Sequence, residues 1–280
     1  MNAIIKSALE LLGDNPANAN LAPFKQQKTM RLRDAVIVQV AHLIRGTRKL
    51  FTSPNQFKLL KGQESEGFAT IGLNLSPSKE SFRFTGVDMC PLASIACIAS
   101  CLKLSGHNAL DMNMISRIAR TILWIHAPTT FLHWAGVEIA RYKRWAHNKG
   151  LTLAIRPNLL SDDTALAGAI KTLAGMDTPV YDYTAIKRAL YLSDGVHRTY
   201  SRKEGRDAEA LEVLSAGHPV AVVFAGELPT TWEGYPVING DKHDLRFIDA
   251  CGPVVVGLKV KGVKRATRER AIASGFAIAS

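Results

Sequence analysis

Three of the four cysteines, Cys90, Cys97 and Cys101, fall within twelve residues, with six residues between the first pair and three between the second. Thiolates gathered at one point hold a soft metal such as zinc, or an iron–sulfur cluster. If the stretch is helical, the spacing of Cys97 and Cys101 puts both sulfurs on one face. Cys90 can then fold back to them from the preceding loop. The alternative is a run of small buried residues around Ala93, Ala96 and Ala99, with the thiols only part of a core.

A second polar set follows segments that read as strands. Arg156 ends the segment 151–156 and Asn158, Ser161 and Asp162 follow it, Asp182 and Tyr183 close 180–183, and Ser201 follows 197–200. Asp241, Asp244 and Arg246 stand between Gly240 and Asp249, and Lys259 and Lys261 end the last strand. In parallel α/β folds, ligands bind beyond the carboxyl ends of the strands. Arg156, Asp162, Asp182, Tyr183 and Asp241 are therefore candidate catalytic residues. Asn158, Ser161, Ser201, Asp244, Arg246, Lys259 and Lys261 are candidate substrate contacts, and Cys90, Cys97 and Cys101 candidate metal ligands. Each set has a plainer reading. Ser161 or Asp162 can cap a helix, and Asn239-Gly240-Asp241 can make a turn. His243 beside Asp241 and Asp244 is weak evidence for a metal.

The elements that must position these groups alternate. Helices are expected over residues 4–12, 29–48, 111–127 and 130–148, and a strand over 68–75. Asp111 starts the third helix, Pro128 stops it, and Gly150 ends the fourth. From 151 onward strands at 151–156, 180–183, 197–200 and 220–224 alternate with helices at 163–174, 185–191 and 207–215. Short strands follow at 245–248 and 254–260. Such alternation implies a parallel sheet. The expectation is an α/β fold, an irregular or incomplete parallel (β/α) barrel preceded by a helical N-terminal extension. Residues 1–57 would form the extension and 58–280 the barrel-like domain. An open doubly wound sheet is the alternative. Trp134, Ile139, Tyr142 and Trp145 read as core rather than as a platform for stacking bases.

The chain has 280 residues, 47% of them hydrophobic, enough for a sizeable core. No run approaches ~18 uninterrupted apolar residues, so no membrane helix is expected. With no secretory signal and few cysteines, a cytoplasmic protein is expected rather than a disulfide scaffold. Lys plus Arg number 35 against 24 Asp plus Glu, a net charge of +11. That excess favours a polyanionic partner, nucleic acid first. Arg31, Arg33, Arg45, Arg48 and Lys49 crowd one helix face. A solvated face explains them, but Arg45, Arg48, Lys49, Lys58 and Lys61 could also touch phosphates. A phosphate-binding loop, a dinucleotide fingerprint and a serine-hydrolase elbow are all absent from the sequence.

From about Lys58 to Gly275 the chain resembles a family of bacteriophage and mobile-element proteins related to the phage gene product 88 domain. The resemblance rests on Gly72-Leu73-Asn74-Leu75-Ser76-Pro77, on the segment from Cys90-Pro91 to Cys101-Leu102, and on Arg156-Pro157-Asn158 with Ser161-Asp162. It continues through Tyr181-Asp182-Tyr183-Thr184, Ala221-Val222-Val223-Phe224, Asp241 with Asp244-Leu245-Arg246-Phe247, and Val256-Gly257-Leu258. The family favours Lys where Ala185 stands and Gly-Thr where Leu159-Leu160 stand. Cys251 has no counterpart and reads as a free thiol. A looser likeness is to phage radical-SAM-like proteins, which place three cysteines before an α/β barrel. Their usual spacing of three then two residues differs from six and three here, which counts against S-adenosylmethionine. Two functions are implied. One is an iron–sulfur enzyme acting on a nucleotide or nucleic acid in the host cytoplasm. The other is a non-enzymatic accessory protein that binds host protein or nucleic acid, with the cysteines as a structural zinc site or as core.

Overall fold

The computed structural model describes residues 2–54, 66–104, 106–249, 252–260 and 265–279. The N-terminal part holds helices α1 (Ala3–Leu12), α2 (Phe24–Gln27) and α3 (Leu32–Ile44), then strands β1 (Phe51–Thr52) and β2 (Phe68–Leu73). Helices α4 (Ser78–Thr85), α5 (Ile95–Ala99), α6 (Asp111–His126) and α7 (Pro128–Asn148) follow. The alternating part runs β3 (Thr152–Arg156), α8 (Thr164–Ala174), β4 (Tyr181–Thr184), β5 (His197–Ser201), α9 (Asp207–Ser215) and β6 (Val220–Phe224). It closes with β7 (Thr231–Trp232), β8 (Tyr235–Asn239), β9 (Val255–Lys259), α10 (Arg265–Ala273) and β10 (Ala277–Ile278).

The strands form one three-stranded sheet, β1-β2-β3, and one in the order β4-β5-β6-β9-β8-β7, with β10 also on β6. All pairings are parallel except β1 with β2 and β7 with β8. A parallel bridge between Ile155 and Val180 joins the two sheets. The four strands expected at 151–156, 180–183, 197–200 and 220–224 are thus parallel neighbours. Their carboxyl ends lie at one rim. The architecture is mixed α/β, and the described strands do not close into a barrel.

Strand alternation sorts the side chains between two faces. Ala69, Ile71, Leu73, Leu153, Ile155 and Val180 join a core with Ile118 and Ile122 of α6, Ile139 of α7 and Ile170 of α8. Val36 and Val40 of α3 and Ile4 of α1 belong to that core too. On the opposite face Phe68, Ala154 and Tyr181 pack with Leu245 and Phe247. The Phe247 ring stands edge-on to Phe68 at 4.9 Å and tilted against Tyr181 at 5.5 Å. This corrects the strand expected at 245–248, which is a 3-10 turn over Arg246–Ile248. Leu245, Arg246 and Phe247 all turn inward in succession, which a pleated strand with one buried face does not allow.

The cysteine segment is also corrected. Its helix, α5, spans only Ile95–Ala99, capped by Ser94, whose hydroxyl accepts the Cys97 N–H at 3.1 Å. Five residues give a helix little to offset its nucleation cost. Cys97 is helical, whereas Cys101 lies beyond the C-cap Ser100, so the two do not share a helical face.

Candidate active site at the carboxyl ends of the strands

Arg156 ends β3, level with Gly72 of β2. Its Nη1 donates to Asp244 Oδ2 at 2.5 Å, and its guanidinium lies 4.7 Å from the centre of the Tyr183 ring. The hydroxyls of Tyr181 and Tyr183 each donate to Asp244 at 3.4 Å. The two tyrosines alternate along β4 and so share the face that meets Arg156. Burial alone would weaken the charge of Arg156, but Asp244 overrides it and raises the pKa. Burial, then the Asp244 charge, push both tyrosines up and keep them protonated. Arg156 Nε is buried without a hydrogen-bond partner among the described residues. Such a donor marks a place for a ligand oxygen or a water.

Asp182 lies between the two tyrosines and therefore on the opposite face of β4. It is 2% exposed. Asn158 Nδ2 donates to it at 2.5 Å and the Tyr183 N–H at 2.9 Å. Ser161 in turn donates to Asn158 at 2.6 Å. Arg156 and Asp182 thus stand on opposite faces of the sheet, though each still feels the other's charge. Asp182, Asn158 and Ser161 form a buried network beneath the rim. Burial is the main force raising the Asp182 pKa well above the usual value, with the Asp162 charge adding to it. The cap of α8 is Asp163, which accepts from Ala165 and Leu166, and not Ser161 or Asp162.

Asp162 instead joins strand ends to the cysteine segment. It accepts the Ala185 N–H at 2.8 Å, just after β4, and its own N–H donates to Met89 at 2.7 Å. Burial raises its pKa, while the Ala185 and Thr184 hydrogen bonds and the Lys203 charge pull it down. Cys90 follows Met89, and its Sγ donates to the Leu160 carbonyl at 3.4 Å. At the other end of the segment Lys203 Nζ donates to Cys97 Sγ at 3.4 Å. Glu204 accepts from Ser94 at 2.6 Å and from the Ala96 N–H at 3.0 Å. The cysteine segment therefore spans the rim from the loop after β3 to the loop after β5.

The three thiols are half-buried and unpaired by disulfides. Burial pushes Cys90 up to about 12, and the charges of Asp162, Cys97 and Cys101 push the same way. Burial also raises Cys101, while Lys103 and Arg117 pull it down. Among the described residues, however, no three His, Cys, Asp or Glu side chains are gathered as a ready metal site.

The other expected residues lie apart or serve the scaffold. Asp241 accepts the Lys259 N–H at 2.9 Å and closes the end of β9, and its own N–H donates to Asn239 in the expected turn. Lys259 Nζ pairs with Glu227 at 2.7 Å. Arg246 is buried, pairs with Asp249 at 3.0 Å, and donates to the His243 carbonyl. His243 approaches Asp249 at 3.9 Å, not Asp241. Ser201 ends β5, two residues before Lys203. Lys58, Lys61, Lys261 and Cys251 lie outside the described residues. Sequence reasoning missed Tyr181, Lys203 and Glu204 as site residues. The period-2 spacing of Tyr181 and Tyr183 was a readable signal. For Lys203 and Glu204 no local pattern marks the contact with a segment about a hundred residues earlier.

Fold and site together define an α/β protein with a polar rim at the carboxyl ends of parallel strands, bordered by a three-cysteine segment. The chain matches the gene product 88 family over residues 42–278 and belongs to that phage-related family. The match carries no link to radical-SAM proteins. No curated protein and no solved structure matches the chain. No helix among the described residues is long and apolar enough to cross a membrane.

Proposed function

We propose that this chain is a phage or mobile-element enzyme that acts on a nucleotide or nucleic acid at the strand-end rim, with Cys90, Cys97 and Cys101 as the attachment point for a soft metal or an iron–sulfur cluster. The observation that carries this reading is that hydrogen bonds from Cys90 to Leu160 and from Lys203 to Cys97 seat the cysteine segment across the rim that Arg156 and Asp162 share. Arg156 would orient an anionic group, with Asp244 and Tyr183 holding its guanidinium in place. Asp162, its carboxyl raised by burial, would hold or release a proton near the thiols. The donors fit a soft metal in type. Lys203, Lys103 and Arg117 place positive charge near Cys97 and Cys101, which suits thiolates. In placement the donors do not fit as they stand, since no three such donors are gathered among the described residues. S-adenosylmethionine has only the looser likeness behind it.

One observation favours the second reading, an accessory binding protein without catalysis. Cys90 donates to a backbone carbonyl and holds its proton up to about 12, as a core thiol does. Anaerobic purification separates the two. Iron, sulfide and zinc are assayed, and absorbance is read near ~400 nm. The enzyme reading expects bound cluster or metal, lost on Cys97→Ser. Colourless, metal-free protein, even after reconstitution with iron and sulfide, would leave only the accessory reading.

A further inference from the structure

A basic cleft of ≈ 340 Å³ lies between the end of α3 and α6, away from the Arg156–Asp244 pair. Arg48, Lys49 and Arg120 line it, with Gln39 and Ser116. A second cleft, of ≈ 230 Å³, lies beside β1 and α7 and is lined by Ser53, Arg141, Tyr142, Trp145 and again Lys49. Lys49 lines both, and the two are taken together as one groove. No acidic residue lines either part among the described residues. Glu138 lies close by and accepts the N–H groups of Leu50 at 2.7 Å and Phe51 at 3.1 Å. It therefore holds the backbone next to Lys49 while offsetting part of the charge of Arg120 and Arg141.

The groove is also built rather than loose. Arg120 donates through Nε and Nη2 to the Lys49 carbonyl at 3.3 and 3.1 Å, so α6 fixes the same residue from its other side. The Arg141 guanidinium lies 5.3 Å from the Tyr142 ring centre. Trp145 is half-buried, packed on the main core by one part and lining the groove by another. Four cations and an accessible aromatic edge, in two narrow clefts in series, suit a backbone with spaced negative charges and exposed bases.

We propose that this groove binds single-stranded nucleic acid, with phosphates at Arg48, Lys49, Arg120 and Arg141 and a base against Trp145. The site is independent of the rim and of any metal there.

The test is fluorescence anisotropy with a labelled single-stranded oligonucleotide of about 15 nucleotides at several salt concentrations. Lys49 and Arg141 are both exposed. Lys49→Glu with Arg141→Glu should weaken binding at least about tenfold and flatten the salt dependence by about 0.7 per lost phosphate. Arg33→Glu, exposed at the far end of α3, should bind almost as the parent does. Quenching of tryptophan emission by the oligonucleotide should diminish in Trp145→Phe. If the double charge reversal disturbs folding, Lys49→Gln with Arg141→Gln removes the same two charges more gently. The proposal is overturned if folded groove variants bind like Arg33→Glu, if a duplex binds more tightly than the single strand, or if nothing binds at low salt. Iron, zinc and sulfide are assayed on the same preparations, so failure here and failure of the rim reading remain distinguishable.

Discussion

Two buried carboxylates dominate the chemistry at the residue scale. Asp162 and Asp182 are both raised above the ordinary 3.8, chiefly by burial. The folded state thus holds these protons more tightly than the unfolded chain does. Their favourable contribution is complete below the ordinary value and is lost as pH rises through the raised values. The melting temperature should therefore fall across a window that opens near pH ~4 and extends upward. Asp182→Asn, which cannot ionise, should make that fall shallower, measured as thermal melts across the window. A slope identical to the parent's would contradict this assignment. These two residues also show what the sequence conveyed. Their place after strands was legible, because apolar runs bounded by Pro157 and by helix signals fix the strand ends. The face that Asp182 occupies was legible too, since it alternates with Tyr181 and Tyr183 along β4.

At the scale of elements, β3 to β6 and β9 were legible because each is a short apolar run followed by a helix pattern or a turn. The turn over Arg246–Ile248 was not, since its burial comes from rings on β2 and β4. β8 carries Pro236 inside it, which in sequence argues against a strand, and Pro236 sits beside the two-residue β7. Helix α4, with the sequence Ser-Lys-Glu-Ser-Phe-Arg-Phe-Thr, has no apolar stripe to betray it. Its tie to α6 is ionic. Arg117 is 2% exposed, bonds Glu80 through Nε at 3.2 Å and Nη2 at 3.3 Å, and donates to the Asn108 carbonyl at 2.7 Å. Arg117→Met removes one partner and leaves Glu80 largely buried. A loss of about 3–5 kcal/mol is expected, read from the denaturation midpoint. Lys6→Met breaks the exposed pair with Glu10 and should change stability by less than about 1 kcal/mol. Equal effects of the two would refute the structural role of the buried pair.

For the whole molecule, the charge of +11 told that an anionic partner was plausible, but not where it would dock. The structure spreads that charge over a rim where Arg156 is matched by Asp244 and a groove lined by Arg48, Lys49, Arg120 and Arg141, with no carboxylate among its described lining residues. The cysteines were legible as a group because they are close in sequence. Their position across the ends of β3 and β5 was not, since it depends on Leu160, Lys203 and Glu204. That the three thiols act together as one metal-binding group is the central claim, and cobalt(II) titration of the anaerobic, metal-free protein tests it most directly. Cobalt bound by thiolates gives a charge-transfer band in the near ultraviolet that scales with the number of sulfurs. The account predicts one equivalent bound with such a band. Cys90→Ser, Cys97→Ser and Cys101→Ser should each lower the band by about one third or abolish it, since each removes one soft ligand. Cys251→Ser should leave it intact. A band that is absent in the parent, survives all three substitutions, or depends on Cys251 would contradict the claim.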